Sequence, residues 1–111
     1  MLARSMLFMQ PRQGCREDLV ATFERLGIPQ AALEQEGCLS VELQVPPDEE
    51  APVLVTALWE DRTAYDGWLS SPRREATQDE LFALLTEPPQ GVVYDIRVAA
   101  GRTTAAGEPG A

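Results

Sequence analysis

The stretch Val53-Leu54-Val55-Thr56-Ala57-Leu58-Trp59 constrains the fold more than any other part of the chain. It is apolar at nearly every position, so it reads as a strand buried on both faces at the centre of a sheet. Ahead of it, Cys38 to Val45 alternates. Leu39, Val41, Leu43 and Val45 fall on one side, and Cys38, Ser40, Glu42 and Gln44 on the other. Residues 46–52 between the two strands are polar and proline-rich, as a hairpin loop requires. After Trp59 the pattern changes from strand to helix. Asp61 suits the N-cap of a helix running to Leu69, and Tyr65 and Trp68 then share one helix face. Trp59, Tyr65 and Trp68 thus gather at one strand-to-helix corner, in a chain with only two Trp and two Tyr.

The remaining elements follow from periodicity and breakers. Ser5 to Gln10 is a short apolar run that suits a buried strand. Leu19, Val20, Phe23 and Leu26 make one apolar stripe on a helix from about Cys15, which Gly27 ends. Pro29 opens a further helical piece that Gly37 closes. Pro72 interrupts the helix after Leu69, and Thr77-Gln78-Asp79-Glu80 reads as a capping box for a last helix through Leu85. Gly91 to Ala99 is the final strand. The order β-α-β-β-α-β is the split βαβ of an α+β, ferredoxin-like fold: a four-stranded antiparallel sheet with helices on one face. The chain of 111 residues makes one domain, residues 1–99, with a disordered tail over residues 100–111 that holds no large apolar anchor. Because Val53 to Trp59 is apolar on both sides, the second sheet face also needs cover. A homodimer packed sheet to sheet supplies it.

Charge and missing residue types narrow the function. The net charge is −9 with no basic stripe, which excludes a nucleic-acid partner and disfavours an anionic membrane surface. No apolar run nears the ~20 residues of a membrane span, and residues 1–10 are too short for a secretory signal. A soluble, cytoplasmic protein is expected. His and Lys are absent, and all nine basic residues are Arg. His-dependent triads, His–metal sites and Schiff-base chemistry are thereby excluded. Cys15 and Cys38 form no Cys-x-x-Cys pair, so no structural metal is expected. No glycine-rich phosphate loop supports a flavin or nicotinamide. The expected cofactor set is empty.

Several residues could carry chemistry. Trp59, Tyr65 and Trp68 could line a flat apolar pocket for a polycyclic aromatic ligand, and they would equally suit a core. Glu42 is the general-base candidate if its strand face looks into that pocket, and a solvated carboxylate if it does not. Arg73 and Arg74, after Pro72, could bind a phenolate or carboxylate at the pocket mouth. Gln10 and Tyr94 are further candidates for pocket contacts. The run Asp48-Glu49-Glu50 sits between prolines and reads as a hairpin tip rather than a cation site.

The Gly37-Cys38-Leu39 strand start, the acidic turn and the strand ending in Trp59 before a helix resemble the antibiotic biosynthesis monooxygenase family. The resemblance covers roughly residues 5 to 98. It implies a dimeric α/β barrel built from two ferredoxin-like chains. It also implies a cofactor-independent monooxygenase that uses O2 on an aromatic polyketide-type substrate in antibiotic biosynthesis. On that reading Trp59, Tyr65, Glu42 and Arg73 act in catalysis, and Trp68, Gln10, Tyr94 and Arg74 bind substrate. The family pattern has a His where this chain has Trp68. Haem-degrading relatives also need an axial His and a first-strand Asn, and this chain holds neither residue type. A proton-moving cyclase, isomerase or decarboxylase with Glu42 or Asp66 as base, or a silent binding dimer, stands beside the oxygenase.

Overall fold

The computed structural model describes residues 1–102. Its eight elements are β1 (Ala3–Met9), α1 (Arg16–Arg25), α2 (Ile28–Leu33), β2 (Cys38–Gln44), β3 (Val53–Trp59), α3 (Arg62–Leu69), α4 (Pro72–Phe82) and β4 (Gln90–Asp95). The strands form one sheet in the order β2-β3-β1-β4, all neighbours antiparallel. This is the ferredoxin-like α+β arrangement, with each crossover built from two helices. The strand apolar on both sides, β3, is a central one. The tail expected over residues 100–111 lies outside the described residues from position 103 onward.

Met9 and Val53 on the strands meet Leu19, Phe23, Ile28, Leu81 and Leu85 from the helical side in a single core. Register places Ala3, Ser5, Leu7 and Met9 of β1 opposite Trp59, Ala57, Val55 and Val53 of β3. Period-two alternation puts all eight side chains on the helix-covered face. The other face carries Arg4, Met6 and Phe8 against Leu58, Thr56 and Leu54, flanked by Tyr94, Val92 and Gln90. Phe8, Val92 and Tyr94 are exposed there, Tyr94 at 62%.

Two sequence expectations are corrected. The clean alternation of β2 is broken by a bulge: Cys38 pairs with Trp59 and Ser40 with Leu58, so Leu39 is the extra residue. A bulge shifts the side-chain phase by one. Cys38 therefore shares the helix-side face with Val41 and Leu43, Leu39 is exposed, and Ser40, Glu42 and Gln44 look the other way. Val45 lies beyond the strand and is also exposed. The last helix begins at Pro72 rather than Thr77 and stops at Phe82. Ser71 is its N-cap, accepting from Arg73 N at 3.3 Å, and Pro72 takes the first position, where its missing N–H costs nothing. Thr77 lies inside the helix, its hydroxyl donating to Arg74 O at 2.9 Å.

Gly37 explains the Gly-Cys-Leu anchor. Its φ is +87°, and a Cβ there would stand 2.6 Å from Ala64 Cβ. Its carbonyl accepts from Glu60 N at 2.8 Å. The start of β2 thus lies directly against the first turn of α3, the helix that carries Tyr65 and Trp68. Asp61 caps that helix as expected, accepting from Ala64 N at 2.9 Å.

Candidate functional site

An apolar cavity lies between the helix-side face of the sheet and the helices. Trp59, Tyr65, Trp68, Leu7, Val55 and Phe82 make much of its wall. Its lining residues with polar side chains include Ser5, Tyr65, Arg74, Thr77 and Gln78. No carboxylate of the described residues lines it. It offers about 70 Å³ to the centres of water-sized molecules. One water occupies roughly 10–15 Å³ on that scale, so the space holds a few waters. A fused-ring ligand therefore needs the cavity to widen.

Trp59 is 1% exposed and donates its indole Nε1–H to Ser5 Oγ at 2.9 Å. Its ring meets Tyr65 at 5.7 Å between centroids, tilted by 60°. That is the range in which edge-to-face aromatic pairs are stabilised. Tyr65 is half-buried on α3, and its hydroxyl lies 3.2 Å from where a Cβ on Gly91 would stand. Burial pushes the Tyr65 phenol above its ordinary value of 10.0, the nearby Arg74 charge works against that rise, and Asp66 adds to it. Tyr65 is therefore a neutral hydrogen-bond donor at physiological pH, with a guanidinium close by. Cys38 on the same sheet face has its thiol pushed up by burial, partly offset by its contact with the Ser40 carbonyl.

The cavity brings together Trp59, Tyr65, Trp68 and Arg74 of the residues singled out in the sequence. The other four lie elsewhere. Glu42 stands exposed on the opposite sheet face, where it accepts from Gln44 Nε2 at 3.0 Å. Tyr94 is on that face too, across from Arg4. Arg73 points from the first turn of α4 to an exposed ion pair with Glu34. Gln10 sits at the far end of β1, donating to Glu50 O at 3.3 Å, and lines a separate polar cleft with Arg12, Arg16 and Glu49. The reason Arg73 and Arg74 part company is helical geometry: neighbours on a helix are ~100° apart, so only Arg74 turns toward the sheet.

Sequence reasoning missed Ser5 and Gln78. Ser5 falls in phase with Leu7 and Met9 on a buried strand face, and a polar residue in that phase needs a partner. That signal was readable. Gln78 was not, because its place depends on α4 starting a turn and a half earlier than the capping-box pattern suggests. Among the described residues no group of three His, Cys, Asp or Glu side chains could hold a metal ion, and no helix is long and apolar enough to cross a membrane.

Comparison with known proteins agrees with this architecture. The family model for antibiotic biosynthesis monooxygenase matches residues 3–80. The chain belongs to that family. No curated protein matches it. Among solved structures it is similar to Rv0793 from Mycobacterium tuberculosis, with a TM-score of 0.74 at 20% identity over 90% of this chain and 99% of that one. SnoaB, a cofactor-independent oxygenase from Streptomyces nogalater, gives a TM-score of 0.68 at 19% identity over 88% of this chain and 94% of the other. A conserved protein from Methanosarcina mazei gives 0.72 at 15% identity over 85% and 91%. At such identities these likenesses carry the fold alone.

Proposed function

We propose that the chain is a cytoplasmic, cofactor-independent monooxygenase that oxidises an electron-rich aromatic substrate with O2 inside the helix-side cavity. The observation that carries this reading is the composition of that cavity: five aromatic side chains, Phe23, Trp59, Tyr65, Trp68 and Phe82, with Arg74 as the one charged side chain among the described lining residues. The aromatic walls suit a flat ring system. A single buried-side guanidinium favours the anion of a phenol or enol over its neutral form. The missing carboxylate argues against the proton-moving alternatives that would use Glu42 or Asp66 as base.

The chemistry asked of the protein is then modest. A substrate with an acidic CH2 beside an aryl ketone passes a proton to a water in the cavity, with Arg74 stabilising the enolate and the Tyr65 hydroxyl donating to its oxygen. The electron-rich anion gives one electron to O2, and the resulting radical and superoxide combine at carbon. The peroxide anion takes that proton back from the water, and the hydroperoxide then loses H2O, so CH2 and O2 become C=O and H2O. The aromatic walls keep bulk water from the radical pair. The working unit in this reading is a homodimer that buries the open sheet face. Its support is the row of Met6, Phe8, Leu54, Leu58, Val92 and Tyr94 on that face. Glu42 and Tyr94 then look toward the partner.

Oxygen uptake with a panel of anthrones, in the presence of a metal chelator, tests the reaction. Stoichiometric O2 consumption with quinone formation is expected. A substrate that is bound and converted without O2 uptake would replace this reading with a non-redox one.

A further inference from the structure

The Ser5–Trp59 hydrogen bond has a directional consequence. An indole N–H only donates, so Ser5 Oγ is the acceptor in the 2.9 Å contact. The serine O–H hydrogen must then point elsewhere. Ser5 donates to no acceptor among the described residues, and only 7% of it is exposed. Its strand neighbours across the sheet are Ala57 and Val93, and Ala3 and Leu7 flank it on its own strand face. All four side chains are apolar. Ser5 lines the aromatic cavity from the helix-side face of β1, and that cavity is the space left for its hydrogen. A buried donor left unpaired is costly, so a donor of this kind is kept where something fills the cavity.

We propose that the Ser5 hydroxyl, held as an acceptor by Trp59, donates a hydrogen bond to a carbonyl or phenolic oxygen of the bound ligand. Ser5 is thus a binding residue that selects oxygenated aromatics over their deoxy counterparts. Trp59 acts through it, as a positioning residue that fixes which way the hydroxyl faces. Tyr65 and Arg74 stand on the helical side of the same space, so oxygen atoms of the ligand are met by Ser5 from the sheet and by Tyr65 and Arg74 from the helices. This inference rests on the reading that the cavity is the ligand site.

The test uses two bicyclic probes that differ by one carbonyl oxygen, 1-tetralone and tetralin, titrated by calorimetry against the full chain and its Ser5→Ala variant. A net hydrogen bond is worth about 0.5–1.5 kcal/mol, which is roughly a twofold to tenfold change in affinity. Ser5→Ala should weaken 1-tetralone by that factor and leave tetralin within twofold. Equal losses for both probes would mean that Ser5 only supports the packing of Trp59, and would overturn the proposal. So would no loss for either. If neither probe binds the unaltered protein, the cavity reading itself fails, and the Ser5 assignment goes with it. Ser5→Ala also strips the Trp59 N–H of its acceptor. If that variant does not fold, Ser5→Cys replaces it: the thiol is somewhat larger than the hydroxyl, accepts weakly and is a poor donor. The same ratio of probe affinities is read.

Discussion

Gly37→Ala should damage both stability and the site, and the amount can be worked from the contact it creates. The new Cβ would lie 2.6 Å from Ala64 Cβ. Carbon atoms rest about 3.5–4.0 Å apart, so β2 and α3 must separate by about 1 Å. Overpacking of this kind costs roughly 1–3 kcal/mol. The backbone adds its own term: φ is +87° at Gly37, and a side chain in left-handed conformation costs about 1–2 kcal/mol. The sum is about 2–5 kcal/mol. At roughly 4–8 °C per kcal/mol for a domain near this size, the melting temperature should fall by about 10 °C or more. Calorimetric melting of Gly37→Ala in the natural and Ala64→Gly backgrounds separates the two contributions. The substitution should cost about 1–3 kcal/mol less when Ala64 is Gly, because the packing part is relieved. An equal cost in both backgrounds would refute the claim that Gly37 is required by close approach to α3.

Other perturbations probe the cavity. Trp68→Phe should keep the fold while weakening an aromatic ligand by about twofold to tenfold, the worth of one aromatic contact of about 0.5–1.5 kcal/mol; lost stability with unchanged affinity would make Trp68 core only. Arg74→Gln should weaken binding of an anionic aromatic severalfold, whereas Arg73→Gln removes an exposed pair with Glu34 and should change stability by no more than about 1 kcal/mol; equal effects on affinity would contradict the different places of the two arginines. Tyr65 has its phenol raised above 10.0, first by burial. The unfolded chain releases that proton first, so the Tyr65 contribution to stability is whole below that pH and is lost as pH rises through the raised value. Ultraviolet titration of Tyr65→Phe against the unaltered protein should assign to Tyr65 a phenolate that rises above the ordinary tyrosine value. Its appearance below the ordinary tyrosine range would contradict the burial.

Much of the fold was legible because the signals were local. Both sides of β3 are apolar, and Asp61 caps α3 with its own side chain, so strand, corner and helix followed from nearest neighbours. What escaped was set by tertiary contacts. The bulge at Leu39 moves β2 out of the phase its alternation implies, and it arises where β2 must pair with β3 while Gly37 packs on Ala64. The start of α4 depended on choosing between two caps, Ser71 before a proline and Thr77 with Glu80, and Ser71 prevailed because Pro72 fits the first helical turn. That choice also turned Arg74 inward. Trp59, Tyr65 and Trp68 were legible as a cluster because strand and helix periods place them at one corner. Ser5 was readable as a polar residue on a buried strand face, but its partner was not, because that indole lies 54 residues away in sequence.

The central claim is that the space among Trp59, Tyr65, Trp68 and Arg74 is the ligand site. The chain has only two tryptophans, and both line that space, so the two indole N–H signals in a proton–nitrogen NMR spectrum report on it directly. Titration with 1-tetralone should move both signals, with the Trp59 resonance remaining the more protected from solvent exchange because it is hydrogen-bonded to Ser5. Saturable binding that leaves both indole signals in place would put the ligand elsewhere and contradict the account.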